Sequence, residues 1–434
     1  MLCIEKRLTA FLFGTRGARE KLSKRETPPT LRRCSVSHYT ALLGVSPLRR
    51  RPPFRGRLAP LPLRLTWTPR IARSGSQQID CDDVQLHAVY AFLKRLERNF
   101  PETSPWVFSN LKEITEKMEK LSLIDTHCDT AFELYHRKEG LYSNSCHISL
   151  EKAEKYKNYT QFFAIWADKK KSDDECFSDF LKISDDLQKQ IAENADKIAF
   201  VRDLDGMETA WAQGKRAAFL AVEDARILGG DISRLHALSS RGVKYLTLMW
   251  GGKSCIGASH DAKGGLTDFG REVVFECFRS GILPDVSHSN EEVTDEVAEI
   301  ALTLGKPFIA SHSNSYELFP HTRNLRKKHL DAIIKLGGIV GVSLCPYHLR
   351  DMSDGAACTA EDVFAHIDSY MSQGAENVLG LGCDLDGTNL PEGFCSVGDL
   401  YRIADVCLKH GYSDGTVEKI FYKNYYEFIK RNFK

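Results

Sequence analysis

From residue 121 the chain alternates between short apolar runs and longer stretches in which apolar residues recur every three to four positions. The runs are 121–127, 160–167, 216–223, 243–250, 282–288, 307–312, 337–345 and 377–384. Most are continuously apolar, as strands covered on both faces must be. The stretches between them carry helical spacing at Phe177–Ala192, Gly270–Arg279, Glu291–Leu304, Lys328–Leu336 and Ala360–Met371. Gly or Pro often marks the return to a strand, as at Gly242, Gly281, Gly305 with Pro307, and Gly337-Gly338. Strands alternating with helices predict a parallel sheet, and eight repeats favour closure. The expected fold class is therefore α/β, a (β/α)8 TIM-like barrel with its site at the C-terminal rim. No G-x-G-x-x-G loop follows the first run, so a dinucleotide-binding sheet has little support.

Five of these segments end in metal-type ligands: Leu123 to Asp129, Phe219 to Glu223, Ile282 to His288, Pro307 to His312, and Val378 to Asp384. His127-Cys128-Asp129 is an H-x-D, and residues two apart on a strand face the same way, so both side chains can meet one ion while Cys128 turns away. Each piece alone has an ordinary explanation. Glu223 could cap a helix, His288 and His312 could be hydrogen-bonded core residues, and Asp384 and Asp386 could serve a turn. Under the barrel reading, however, all of them reach the same face. Three His and two carboxylates suit a pair of Zn²⁺ ions bridged by Glu223. Two such ions about 3.5–4 Å apart would hold a hydroxide and polarise a carbonyl. Asp384 would then carry the proton to the leaving nitrogen, with Asp386 as a competitor for that role.

Charge divides the chain. Residues 1–73 hold 14 Arg and 3 Lys against 3 Glu, a charge of +14, so the whole chain's +1 leaves −13 for the rest. An acidic main domain argues against a nucleic-acid partner. Residues 1–80 read as an Arg/Pro-rich, disordered leader. Its Arg bias resembles a mitochondrial presequence, but its prolines oppose the long amphipathic helix such a segment needs. It has no secretory h-region. Residues 81–118 read as a helical extension, with Met118 a plausible natural start, and 119–434 as the barrel. No run is long enough for a membrane span. The 13 cysteines form no CxxC pair, which fits free thiols in a reducing compartment and a cytoplasmic location, with organelle targeting left open by the leader.

From about 119 to 434 the chain resembles the membrane (renal) dipeptidase family of zinc metallopeptidases, and more its soluble bacterial branch than the lipid-anchored animal enzymes. The resemblance rests on Ile124 to Thr130, Tyr245-Leu246-Thr247-Leu248, Gly265 to Gly270, Asp285-Val286-Ser287-His288, Ala310 to Asn314, Arg323-Asn324-Leu325 and Gly382 to Gly387. It implies a dipeptidase with two zinc ions per subunit: His127 and Asp129 on one, His288 and His312 on the other, Glu223 between them. It also implies that Arg323 grips the substrate's carboxylate, that Asp384 is the catalytic acid, and that a homodimer forms. One departure stands out. Where the animal enzymes place a substrate-contacting His after the fourth strand, this chain has Met249-Trp250, which makes Trp250 the candidate substrate contact. The Gly-rich loop that follows, with His260 and Asp261, could supply a replacement group. A barrel amidohydrolase acting on a cyclic amide, lactone or phosphoester is the alternative enzyme, though such enzymes commonly open with His-x-His. A non-catalytic barrel would be expected to have lost ligands, and none of the six positions is lost.

Overall fold

The computed structural model describes residues 121–433; the predicted leader (1–80) and helical extension (81–118) lie outside the described residues. The strands are β1 (Leu123–Cys128), β2 (Tyr159–Trp166), β3 (Ile198–Phe200), β4 (Arg216–Glu223), β5 (Val243–Thr247), β6 (Leu283–Asp285), β7 (Ile309–Ala310), β8 (Ile339–Val342) and β9 (Leu379–Leu381). All pairings are parallel. The order β1-β2-β4-β5-β6-β7-β8-β9 closes on itself, since Leu381 of β9 pairs with Asp125 of β1 and β2 pairs with β4. The protein is thus a (β/α)8 TIM-like barrel. Each of the eight predicted runs holds one of its strands.

One strand lies outside the predicted eight. β3 pairs with Arg216–Ala218, on the edge of β4 that β5 takes over from Leu220 onward, because β2 covers the other edge. Three residues are too few to show a period of two.

The helices are α1 (Thr130–Arg137), α2 (Asp173–Glu193), α3 (Leu204–Ala212), α4 (Ser233–Arg241), α5 (Asp268–Ser280), α6 (Glu291–Leu304), α7 (Lys327–Leu336), α8 (Pro346–Leu349), α9 (Ala360–Ser372), α10 (Tyr401–Lys409), α11 (Asp414–Glu418) and α12 (Asn424–Asn432). Their ends follow from capping chemistry. Ser172 and Glu175 form a reciprocal capping box at the start of α2, and Asn290 caps α6 by accepting from the Val293 amide. α5 and α6 stop at Gly281 and Gly305, both left-handed (φ 72° and 61°), where a side chain would be strained.

Alternation along β4 divides the core in two. Ala218, Leu220 and Val222 pack against the helices, while Ala217, Phe219 and Ala221 fill the lumen with Ile124, Phe162, Tyr245 and Ile339. α12 plugs the lumen at the N-terminal end of the strands with Tyr425, Phe428 and Ile429, and Phe433 follows it. Each fully buried ring contributes about 1.5–3 kcal/mol. Gly380 on β9 makes room for the plug, since a Cβ there would stand 2.5 Å from the Tyr425 ring. With one end sealed, only the C-terminal rim is left to hold a site. None of the described helices is long and apolar enough to cross a membrane, and no disulfide joins the described cysteines.

Candidate metal centre

The same alternation aims the site residues. Glu223 shares the parity of Ala217, Phe219 and Ala221, so it points into the top of the lumen. On β1 the register with β2 slips between Asp125 and Cys128, giving β1 one extra residue. The bulge lets two successive residues face inward. Thr126 bonds the carbonyls of Ser311 and Leu381, and His127 reaches the rim. Cys128 turns outward, with its Sγ against the Phe162 carbonyl, as the H-x-D reading expects.

The remaining candidate ligands sit just beyond their strands rather than on them. β6 ends at Asp285, β7 at Ala310 and β9 at Leu381, all short of the predicted limits. Backbone chemistry explains the early stops. Asp285 Oδ1 accepts the amides of Ser287 (3.0 Å) and Ser311 (2.8 Å), and Asp125 Oδ1 accepts those of His127 (3.2 Å) and Cys383 (2.9 Å). Carboxylates thus replace ladder bonds at the two exits. His288 and Asp384 are left-handed (φ 66° and 58°), a conformation that ends a strand and is uncommon for such residues.

Six predicted residues converge. Glu223 Oε1 lies 3.7 Å from His127 Nε2, 3.0 Å from His288 Nε2 and 3.3 Å from His312 Nε2. His127 Nε2 also lies 3.8 Å from Asp129 Oδ2 and 3.9 Å from Asp384 Oδ1. The His127 and His312 rings stack at 3.7 Å. Two ligand triads result, His127–Glu223–His312 and His127–Asp129–Asp384. Ligands about 2.1 Å from a tetrahedral ion stand roughly 3.4 Å apart, so these separations suit shared cations.

Neighbours set which nitrogen each imidazole presents. The Tyr245 hydroxyl donates to the Thr126 carbonyl (2.8 Å) and accepts from His127 Nδ1 (2.8 Å), leaving Nε2 toward the site. Ser311 Oγ donates to Asp285 Oδ2 (2.5 Å) and accepts from His312 Nδ1 (2.7 Å), with the same effect. Thr247 Oγ1 adds a fourth donor to Asp285 (2.6 Å to Oδ2). Tyr245, Asp285 and Ser311 had no part in the predicted site. A polar residue at an inward position of an apolar run, as Tyr245 is, was the available signal.

Protonation tests whether a cation fits. Burial pushes the Glu223 carboxyl well up, and Asp129 adds to it. Burial alone would push His127 down, yet Glu223, Asp129 and Asp384 lift it to about 10. Without an ion the carboxylates therefore draw a proton onto the nitrogen that faces them. A divalent ion would supply that charge and leave the imidazole neutral. His127 Nε2 and Asp129 Oδ1 are buried without hydrogen-bond partners, as atoms reserved for an ion should be. His288 and His312 are held well below their usual range, chiefly by burial and then by nearby cations such as Arg323 and His127, so their imidazoles are neutral and ready to bind metal. Burial raises Asp384 to about 7. The donor set fits divalent metal ions.

The other predicted residues divide. Arg323 is buried beside the cluster, donating from Nη1 to Ser313 Oγ (2.8 Å) and from Nη2 to the His312 carbonyl (2.9 Å), with Nε unpartnered. Trp250 stands 6.1 Å from the His288 ring and packs edge-on against Trp166 at 5.0 Å. Asp386 is committed elsewhere. Its carboxylate accepts from Thr130 Oγ1 (2.6 Å) and the His147 amide (2.5 Å), and its own amide donates to His147 Nδ1 (2.8 Å). It therefore locks a loop and does not compete with Asp384. Gly387 completes the wall, since a Cβ there would meet Asp129 Oδ2 at 2.1 Å and Asp384 Oδ1 at 2.3 Å.

Comparison with known proteins follows this geometry. The pattern of the family described as membrane dipeptidase (peptidase family M19) matches residues 111–432. Dipeptidase tcpJ of Claviceps purpurea is 30% identical over 241 residues, 54% of this chain and 56% of that protein. The chain thus spans little more than half the length of that relative. An uncharacterized protein from the pqqA 5′ region of Klebsiella pneumoniae is 27% identical over 253 residues, 56% of this chain and 92% of its own. Among solved structures, the metallopeptidase dipeptidase AC of family M19 matches with a TM-score of 0.67 and 25% identity, covering 72% of this chain and 99% of that one. A Rhodobacter sphaeroides metallopeptidase, liganded with a phosphinate mimic of the dipeptide L-Ala-D-Ala, shares the fold at a TM-score of 0.67 and 24% identity, with the same coverage.

Proposed function

The chain belongs to the membrane dipeptidase family of metallopeptidases, and on that premise we propose that it hydrolyses the peptide bond of dipeptides at two zinc ions. His127 and Asp129 would hold one ion, His288 and His312 the other, and Glu223 would bridge them. The observation that carries this reading is the approach of three imidazole Nε2 atoms to the single oxygen Glu223 Oε1. When bound, the pair of ions supplies a nucleophilic water at neutral pH and polarises the peptide carbonyl.

The chain's own residues do the rest. Arg323 binds the substrate's carboxylate, offering a buried guanidinium whose Nε has no protein partner. Two of its other nitrogens are pinned to Ser313 and His312, so the fork is pre-aimed. Asp384 takes the proton of the attacking water and passes it to the leaving nitrogen. Its carboxylate stands 3.9 Å from His127 Nε2 at the edge of the cluster, where it can accept a proton from the water and then donate it. Trp250, braced by Trp166, forms an apolar wall for the substrate beside His288. The mostly buried thiols of the described residues, none of them in a disulfide, suit work in a reducing compartment such as the cytoplasm.

The test is metal analysis of the purified protein joined to a panel of dipeptides, lactones and phosphoesters. We expect two zinc ions per chain, dipeptide cleavage abolished by a chelator and restored by zinc, and a large rise in KM for Arg323→Met. Full dipeptide turnover by metal-free protein would refute the mechanism. Preference for lactones or phosphoesters, unaffected by Arg323→Met, would favour the amidohydrolase alternative instead.

A further inference from the structure

The loop after β5 is long and Gly-rich, yet it is fastened down. Ser259 forms an antiparallel bridge with Ser289, and the Ser259 amide donates to the Gly252 carbonyl at 2.9 Å. The Asp261 carboxylate accepts from the Gly252 amide (2.8 Å) and from the Ser259 hydroxyl. The His260 amide donates to the His288 carbonyl at 2.8 Å. All this bracing holds one side chain in place, the imidazole of His260, with its ring centre 5.7 Å from that of His288.

That imidazole keeps a buried nitrogen without a hydrogen-bond partner. His127, His312, His147 and His366 each spend a ring nitrogen on a protein group. The Nδ1 of His260 is buried and has no hydrogen-bond partner among the described residues. A buried polar atom left unpaired costs stability, so a site that keeps one reserves it for something that binds there. Trp250, also near His288, packs against Trp166 and lies under the Lys169 ammonium, which sits 5.0 Å over its ring. An indole can only donate, and this one is held by its packing. His260 is therefore the group beside His288 that is both braced and unspent.

We infer that His260 is a further catalytic residue, whose ring N–H donates a hydrogen bond to the scissile carbonyl oxygen as that oxygen gains charge. The inference rests on the dipeptidase reading. A neutral imidazole carries one N–H, and a carbonyl oxygen can only accept, so the direction of the bond is set. A donor fixed in advance by a rigid loop stabilises the transition state more than the substrate, which places its effect on kcat.

His260→Ala and His260→Gln, prepared with zinc, test this. With a dipeptide that the wild type cleaves, His260→Ala should lower kcat about 100-fold while KM moves less than about threefold. Calorimetric titration with a phosphinate dipeptide analogue, whose anionic oxygen mimics the tetrahedral state, should show a similar loss of affinity. Affinity for a free amino acid product should not change. His260→Gln, which keeps an N–H donor, should recover part of both losses. A kcat within about twofold of wild type, a rise in KM alone, or unchanged phosphinate affinity would each overturn the inference. Loss of zinc from both variants would do so too, by making His260 a support for His288. A wild type that cleaves no dipeptide at all would instead remove the dipeptidase reading, and this inference with it.

Discussion

The Tyr245 hydroxyl bridges His127 Nδ1 and the Thr126 carbonyl, 2.8 Å from each, and thereby turns His127 Nε2 toward the carboxylates. A β5 side chain thus orients a candidate ligand on β1 across the lumen. Tyr245→Phe keeps the ring that packs against Phe162 and removes only the hydroxyl. His127 would then be free to rotate or change tautomer. Zinc affinity is expected to fall about 10–100-fold, with the melting temperature lowered by a few degrees. Competition with a chromogenic chelator measures the first and thermal unfolding the second. Unchanged zinc affinity would show that the hydroxyl serves packing alone.

Gly387 predicts a separation of stability from metal binding. The residue is exposed, and its backbone is not in the left-handed region. Gly387→Ala should therefore leave global stability within about 0.5 kcal/mol, as surface substitutions usually do. Its Cβ, however, would lie 2.1 Å from Asp129 Oδ2 and 2.3 Å from Asp384 Oδ1, so both carboxylates must move. Zinc content below wild type, with the urea midpoint unchanged, is the expected result. Full zinc occupancy and full activity would mean that the loop yields without cost.

The barrel was legible because each of its strands is buried on both faces and so reads as an apolar run. The candidate ligands were legible for the same reason, since polar residues at the ends of such runs stand out. The strands' true ends were not. Asp285 and Asp125 look like further candidate ligands, whereas their carboxylates spend themselves on backbone amides across neighbouring strand exits. Only the folded chain shows that Ser311 lies between Asp285 and His312, or that Asp386 is absorbed by His147, residues 239 positions apart. β3 escaped because three residues carry no period. The predicted leader and helical extension fall outside the described residues.

Replacing Asp384 tests whether proton transfer can be separated from metal binding. It lies 3.9 Å from His127 Nε2 and has φ 58°, a conformation Asn also tolerates, so Asp384→Asn should preserve the loop. Under the proposed role of proton carrier outside the five proposed ligands, its loss should lower kcat about 10²–10⁴-fold with zinc content retained. Stopped assays over a range of dipeptide concentrations, with metal analysis on the same samples, measure both. Loss of one zinc per chain would instead make Asp384 a ligand alongside His127 and Asp129.

His366 makes the barrel sensitive to acid at a place remote from the rim chemistry. It is fully buried on α9, where Nδ1 accepts the Ser315 amide (3.0 Å) and Nε2 donates to the Leu349 carbonyl (2.8 Å). Both bonds need the neutral ring, because a proton on Nδ1 would face the Ser315 N–H. Burial accordingly lowers its pKa from 6.5 to about 4. Between those values the unfolded chain binds more protons than the folded one. The contribution to stability is therefore whole above about pH 6.5 and is lost as pH falls toward about 4, roughly 3 kcal/mol in all. His366→Gln removes the titrating group, so it should be less stable than wild type at pH 7 and should lose less further stability by pH 5. Urea midpoints of wild type and variant at the two pH values give the comparison. Equal losses in the two proteins would show that the acid sensitivity arises elsewhere.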